Sequence, residues 1–185
     1  MNTQPDISIT TSTPPPTLQS APSKISLIGM PSSGKSNVGM MLAGKLGRKF
    51  MDLDRMVEHR EGQSLISILE TKGGEYFLNI ENEFLHNIQP DEKVVISTAG
   101  SIIYHAEAIE WLKSNTIVVL LDTPFETIEA RLAKKPKAVV GLKEKGLVKL
   151  WEERMPVYRN LANITVQTSG KSMEYIVAEI LASLG

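Results

Sequence analysis

The chain has 185 residues, with 20 Lys and Arg against 21 Asp and Glu, a net charge of −1 and no cysteine. That length is one domain's worth, enough to bury about 70% of the unfolded surface. The balanced charge gives no footprint for nucleic acid, and the missing cysteines exclude a disulfide framework, a thiolate zinc site and a thiol nucleophile. No apolar run reaches the length of a membrane span, so neither nucleic acid nor membrane is expected as a partner. A reducing cytoplasmic setting suits such a chain.

In chain order, residues 1–23 come first, centred on Thr11-Ser12-Thr13-Pro14-Pro15-Pro16. They hold little that builds a core and read as a disordered tail, with a Pro-rich docking segment as the alternative. They lack the basic start and apolar stretch of a secretory signal, and they have no Arg for a transit peptide. The folded unit is then 24–185. Strand patterns at 24–30, 48–52, 94–97, 116–122 and 163–167 alternate with helical ones. The helical patterns run over 37–46, 65–71, 76–88, 106–113, 124–132, 147–158 and 173–184, and a lysine-rich interval at 134–145 has no clean period. Pro124 is expected in the first turn of its helix, where a missing N–H costs little, and Asp122 is expected to cap it. Alternation of this kind predicts an α/β fold, a parallel sheet with helices on both faces. Ligands of such sheets bind beyond the carboxyl ends of the strands.

Beyond the first strand lies Gly29-Met30-Pro31-Ser32-Ser33-Gly34-Lys35-Ser36, which fits the phosphate-loop pattern G-x-x-x-x-G-K-[ST]. The apolar Ile25-Ser26-Leu27-Ile28 before it and the helical Val38-Gly39-Met40-Met41-Leu42-Ala43 after it supply the strand–loop–helix context the motif needs. Backbone N–H groups at the helix start would cradle the phosphates. Lys35 would reach the β and γ groups and Ser36 would ligate Mg²⁺. Beyond the second strand, Asp52 and Asp54 at i and i+2 fall on one face if the segment is extended. One can hold the metal's water shell while the other takes a proton from an attacking hydroxyl. An Asp-rich helix cap, with Asp54 before Arg55, is the alternative. Thr98-Ala99-Gly100-Ser101 is a turn of small residues that lets backbone approach a ligand. Cations for transition-state charge come from Arg131, Arg154 and the lysines at 134, 135 and 137, where a lid is expected. His59, His86 and His105 show no metal-ligand spacing.

From about Lys24 onward the chain resembles the shikimate kinases, small P-loop kinases of the nucleoside-monophosphate-kinase type. The resemblance rests on the phosphate loop, on Asp52-Leu53-Asp54, on Glu58-His59-Arg60-Glu61-Gly62-Gln63-Ser64-Leu65-Ile66, on residues 73–81 and 97–101, and on Arg154-Met155-Pro156-Val157-Tyr158. It implies a three-layer fold with a five-stranded parallel sheet, a small lid and a substrate-binding helical region. It also implies a monomer, and transfer of the γ-phosphoryl group of ATP to shikimate with Mg²⁺. Carried over, Gly29, Ser32, Ser33, Gly34, Lys35, Ser36 and Asn37 hold the nucleotide, with Arg131 along the adenine and Lys137 in the lid. Ser36 and Asp52 serve the metal, Lys35 and Asp54 the chemistry, and Asp54, Leu78, Gly100 and Arg154 the acceptor. The chain also departs from the family's pattern. Leu78 stands where the motif Phe-Arg-x-x-Glu has its arginine, Ala99-Gly100-Ser101 replaces three glycines, and the lid carries Lys137-Ala138-Val139-Val140. The alternatives are therefore a kinase of the same fold acting on another polyol or sugar acid, and a nucleotide-binding homologue without turnover.

Overall fold

The computed structural model describes residues 22–185; the expected tail at 1–23 lies almost wholly outside them. Five parallel strands, β1 (Lys24–Ile28), β2 (Lys49–Asp52), β3 (Val94–Ser97), β4 (Ile117–Asp122) and β5 (Ile164–Gln167), form one sheet in the order β2-β3-β1-β4-β5. Seven helices connect and cover them: α1 (Lys35–Leu46), α2 (Leu53–Glu61), α3 (Leu65–His86), α4 (Ala106–Asn115), α5 (Phe125–Lys134), α6 (Leu142–Leu161) and α7 (Met173–Ser183). All five residues of β1 are buried, as befits a central strand covered on both faces.

Side chains alternate across the sheet and divide the core. Ile25 and Leu27 join Val38, Leu42, Ile176 and Ile180 under α1 and α7. Ile28, Ile96, Val118 and Leu120 join Leu85, Leu112 and Tyr158 on the opposite face. A smaller cluster of Val57, Ile68, Phe77, Ile80 and Ala99 anchors α2 and α3 beside the carboxyl edge of the sheet. From the central strand β1, α1 leads to the β2 edge, and α5 and α6 lead from β4 to the β5 edge. A crevice therefore opens at the carboxyl ends of β1 and β4.

The two helical stretches expected at 65–71 and 76–88 run as one helix, α3, broken at Gly73, whose φ of 83° and ψ of 171° lie outside helical space. A matching break at Gly146 divides α6. Asp54 does not lie on an extended segment: the helix begins at Leu53, and Asp52 is the cap, accepting from the Arg55 N–H at 3.4 Å. Pro124 is the cap residue of α5 rather than part of its first turn. Asp122 does not cap that helix either; its Oδ2 accepts from Gln167 at 2.8 Å and pairs with Arg159 at 3.3 Å.

Candidate active site

The phosphate loop is shaped by backbone conformations that few side chains tolerate. Gly29 and Gly34 have φ of 139° and 105°, and Ser32 sits at 64°. A β-carbon on Gly29 would lie 2.9 Å from the Leu121 carbonyl oxygen, so the loop can leave β1 only through a glycine. Its carbonyls are engaged by side chains from other elements. Lys35 Nζ donates to the Gly29 and Met30 carbonyls, both at 2.9 Å, Arg131 donates to that of Ser32 at 2.9 Å, and Thr123 to that of Ser33 at 3.3 Å. Thr168 backs Thr123 at 2.8 Å. The first turn of α1 contains no acidic residue, so its N–H groups and its dipole meet no counter-charge from their own helix.

A cleft of about 1130 Å³ opens beside this loop. Ser32, Ser33, Gly34, Lys35, Ser36, Asn37, Asp52, Asp54, Gly100, Arg131, Lys137 and Arg154 all line it. Gly29 is set back and supplies the carbonyl held by Lys35. Leu78 is half-buried on α3 and is not among the lining residues, whereas its neighbour Phe77 is.

Burial dominates the electrostatics. It pushes the Lys35 ammonium down to about 8, with Asp54 opposing the shift and Lys137 adding to it. It raises the Asp54 carboxyl to about 6, against the pull of Lys35 and with the help of Asp52. Glu81, wholly buried, is held well above the usual carboxylate range by burial and by Asp54. Its Oε1 accepts from the Ala99 N–H at 3.0 Å, while its Oε2 has no partner among the described residues.

Arg154 is also wholly buried. Its Nε donates to the Tyr104 hydroxyl at 3.1 Å, its Nη2 donates to the Val140 carbonyl at 2.6 Å, and the guanidinium lies 5.0 Å from the Tyr104 ring centroid. One turn further along α6 the Tyr158 hydroxyl donates to the Gly100 carbonyl. At Gly100 itself a β-carbon would come within 2.8 Å of the Pro31 ring, so this turn needs a glycine to pack against the phosphate loop. The supporting roles of Thr123, Thr168, Tyr104 and Tyr158 were not read from the sequence. Tyr158 carried a usable signal, since it lies at i+4 from Arg154 on a helical pattern.

The donor set suits Mg²⁺. Ser36 and Asp52 offer oxygen donors on the same cleft, and one carboxylate plus a hydroxyl would leave the coordination largely to water and phosphate, as this ion prefers. Among the described residues no group of three or more His, Cys, Asp or Glu gathers to cage a metal, and no helix is long and apolar enough to cross a membrane.

The family model described as shikimate kinase matches residues 31–185. The chain belongs to the shikimate kinase family. It is 39% identical over 162 residues to a shikimate kinase of Aquifex aeolicus, covering 87% of this chain and 95% of that one. It is 35% identical over 161 residues to one of Persephonella marina, covering 86% and 98%. Among solved structures, a shikimate kinase from Acinetobacter baumannii in complex with shikimate superposes with a TM-score of 0.78 at 32% identity, covering 88% of this chain and 92% of that one. A gluconokinase from Sinorhizobium meliloti, at 18% identity and a TM-score of 0.52, shares the fold alone. The shikimate kinase matches span nearly the whole folded unit, so the departures at Leu78, Ala99 and Ser101 belong to a family member and do not mark a different lineage.

Proposed function

We propose that this chain transfers the γ-phosphoryl group of ATP to a hydroxyl of shikimate, acting as a monomer in the cytoplasm within aromatic amino acid biosynthesis. The observation that carries the reading is that Lys35, Asp54 and Arg154 share one cleft: a phosphate cation, a proton acceptor and a carboxylate partner. The backbone of 32–36 and the Lys35 ammonium hold the β- and γ-phosphates, Lys35 exchanging its carbonyl partners for phosphate oxygens. Mg²⁺, held by Ser36 and through water by Asp52, supplies charge neutralisation when bound. Arg131 and Lys137 border the nucleotide side. Arg154 orients the acceptor through its carboxylate, and Asp54, ionised, accepts the hydroxyl proton as the oxygen attacks the γ-phosphorus. The bond from that phosphorus to the bridging oxygen breaks, and ADP leaves.

The test is ADP release by the full chain with Mg²⁺ and ATP, offered shikimate, gluconate, cyclitols and sugars in turn. Turnover with shikimate alone is the expected result. Turnover with another polyol and none with shikimate would assign a different acceptor. ATP binding without turnover on any of them would assign a binding module.

A further inference from the structure

Resting on the nucleotide side proposed above, three lysines stand beyond the needs of a metal–nucleotide complex. Eight cationic side chains line the cleft against three carboxylates, although the chain as a whole has a net charge of −1. Lys134, Lys135 and Lys137 belong to that set, all of them exposed, and none has an ion pair or hydrogen bond among the described residues. The lysines around them are engaged: Lys143 with Glu70, Lys145 with Glu153 and Lys171 with Glu179.

The end of α5 sets their placement. Arg131, in its last turn, is bonded to the phosphate loop at the Ser32 carbonyl. Lys134 is its final residue, where a cation also suits the carboxyl-end dipole. Lys135 lies past the helix and is extended, with φ of −138° and ψ of 90°. Extended residues two apart share a face, and Pro136 stiffens the backbone between Lys135 and Lys137. Lys137 comes near enough to Lys35 to oppose its charge. Cations therefore continue from the phosphate loop through Lys137 and Lys135 to the end of α5.

A Mg²⁺ ion cancels about half the charge of a triphosphate, and Lys35 and the loop N–H groups meet much of the rest. A triphosphate chain without metal brings about four negative charges, and the lysines can do for it what the metal does for ATP. Flexible ammonium groups suit a chain of tetrahedral phosphates, which asks for point charges and not for a planar fork.

We propose that the nucleotide side takes a second class of ligand, linear inorganic polyphosphate, held without metal by Lys134, Lys135 and Lys137 together with the phosphate loop, in competition with ATP.

The experiment is calorimetric titration of the full chain with tripolyphosphate in EDTA, where saturable binding is expected. In magnesium buffer, prior saturation with an unreactive ATP analogue should abolish it. Lys134→Gln combined with Lys135→Gln should weaken tripolyphosphate about tenfold, the ordinary worth of two exposed charge contacts, and the magnesium-loaded analogue about threefold or less. Lys134→Arg combined with Lys135→Arg keeps both charges and should bind tripolyphosphate like the wild type, which separates charge from folding. No saturable binding in EDTA overturns the proposal, as does equal affinity in the wild type and the glutamine double variant, or binding to the analogue-saturated protein. In each of these cases, binding of the magnesium-loaded analogue to the wild type leaves the proposed activity standing. If the analogue does not bind the wild type, the nucleotide side is misassigned and both fall.

Discussion

Asp54 is kept ionisable at a position that burial makes unfavourable for its charge. With the folded carboxyl at about 6 and the ordinary value for aspartate at 3.8, the folded state binds the extra proton between these values, and stability falls as pH rises through that window. At pH 7 the penalty is about 2–3 kcal/mol. Asp54→Asn should therefore stabilise the ligand-free protein by about 2 kcal/mol at pH 7, the gain disappearing below pH ~4, in urea titrations at several pH values. The same variant should lower kcat by about 10²-fold or more. The kcat/KM profile for shikimate should be bell-shaped. It falls below about pH 6 as Asp54 takes a proton and above about pH 8 as Lys35 loses one. A flat profile across pH 5–7 would remove Asp54 from the role of base. At Leu78, an arginine would lie three residues before Glu81, whose buried Oε2 lacks a partner among the described residues. Leu78→Arg should raise kcat/KM for shikimate about tenfold, and no gain would count against a second guanidinium on the acceptor side. The phosphate-loop residues could be read from sequence because their motif is contiguous. Which nitrogen of Arg154 is free could not, since it depends on Tyr104 and on the Val140 carbonyl, brought from two other segments.

Among the elements, the turn at 98–101 joins the two halves of the site. Gly100 packs against Pro31 of the phosphate loop and accepts from Tyr158 of α6. Gly100→Ala should displace the loop, raising the ATP KM and lowering stability by about 1–3 kcal/mol; a wild-type ATP KM would show that the turn moves alone. The strands were legible because β3 and β4 are built on continuous apolar runs bounded by polar residues, and β1 is broken only by Ser26 before its glycine. The start of α2 was less so. Asp52 and Asp54 are both good caps on composition, and only the accepted Arg55 N–H distinguishes them. The break in α3 follows from Gly73, one of two adjacent glycines, yet periodicity on both sides of such a pair looks alike whether the helices are separate or joined end to end.

At the scale of the whole molecule, the sheet carries the phosphate loop at its centre, and α3 and the 135–145 segment border the cleft beside it. These two meet directly. A β-carbon on Gly74 would lie 2.9 Å from Val140, and Glu70 pairs with Lys143 at 2.9 Å. The proposed monomer predicts a mass near 20.4 kDa by light scattering in solution, and a dimer would refute it. The bond from Arg154 to the Val140 carbonyl has a thermodynamic corollary. The guanidinium proposed to meet the acceptor also holds a carbonyl of the segment that bears Lys137, proposed for the nucleotide side. An acceptor that pulls on Arg154 therefore changes the free energy of that segment, and hence of the nucleotide bound beneath it. Such coupling is reciprocal: the factor by which saturating shikimate alters the dissociation constant of an unreactive ATP analogue must equal the factor by which the analogue alters that of shikimate. The prediction is a factor different from one in both titrations, carried by a single hydrogen bond between a helix and a lid.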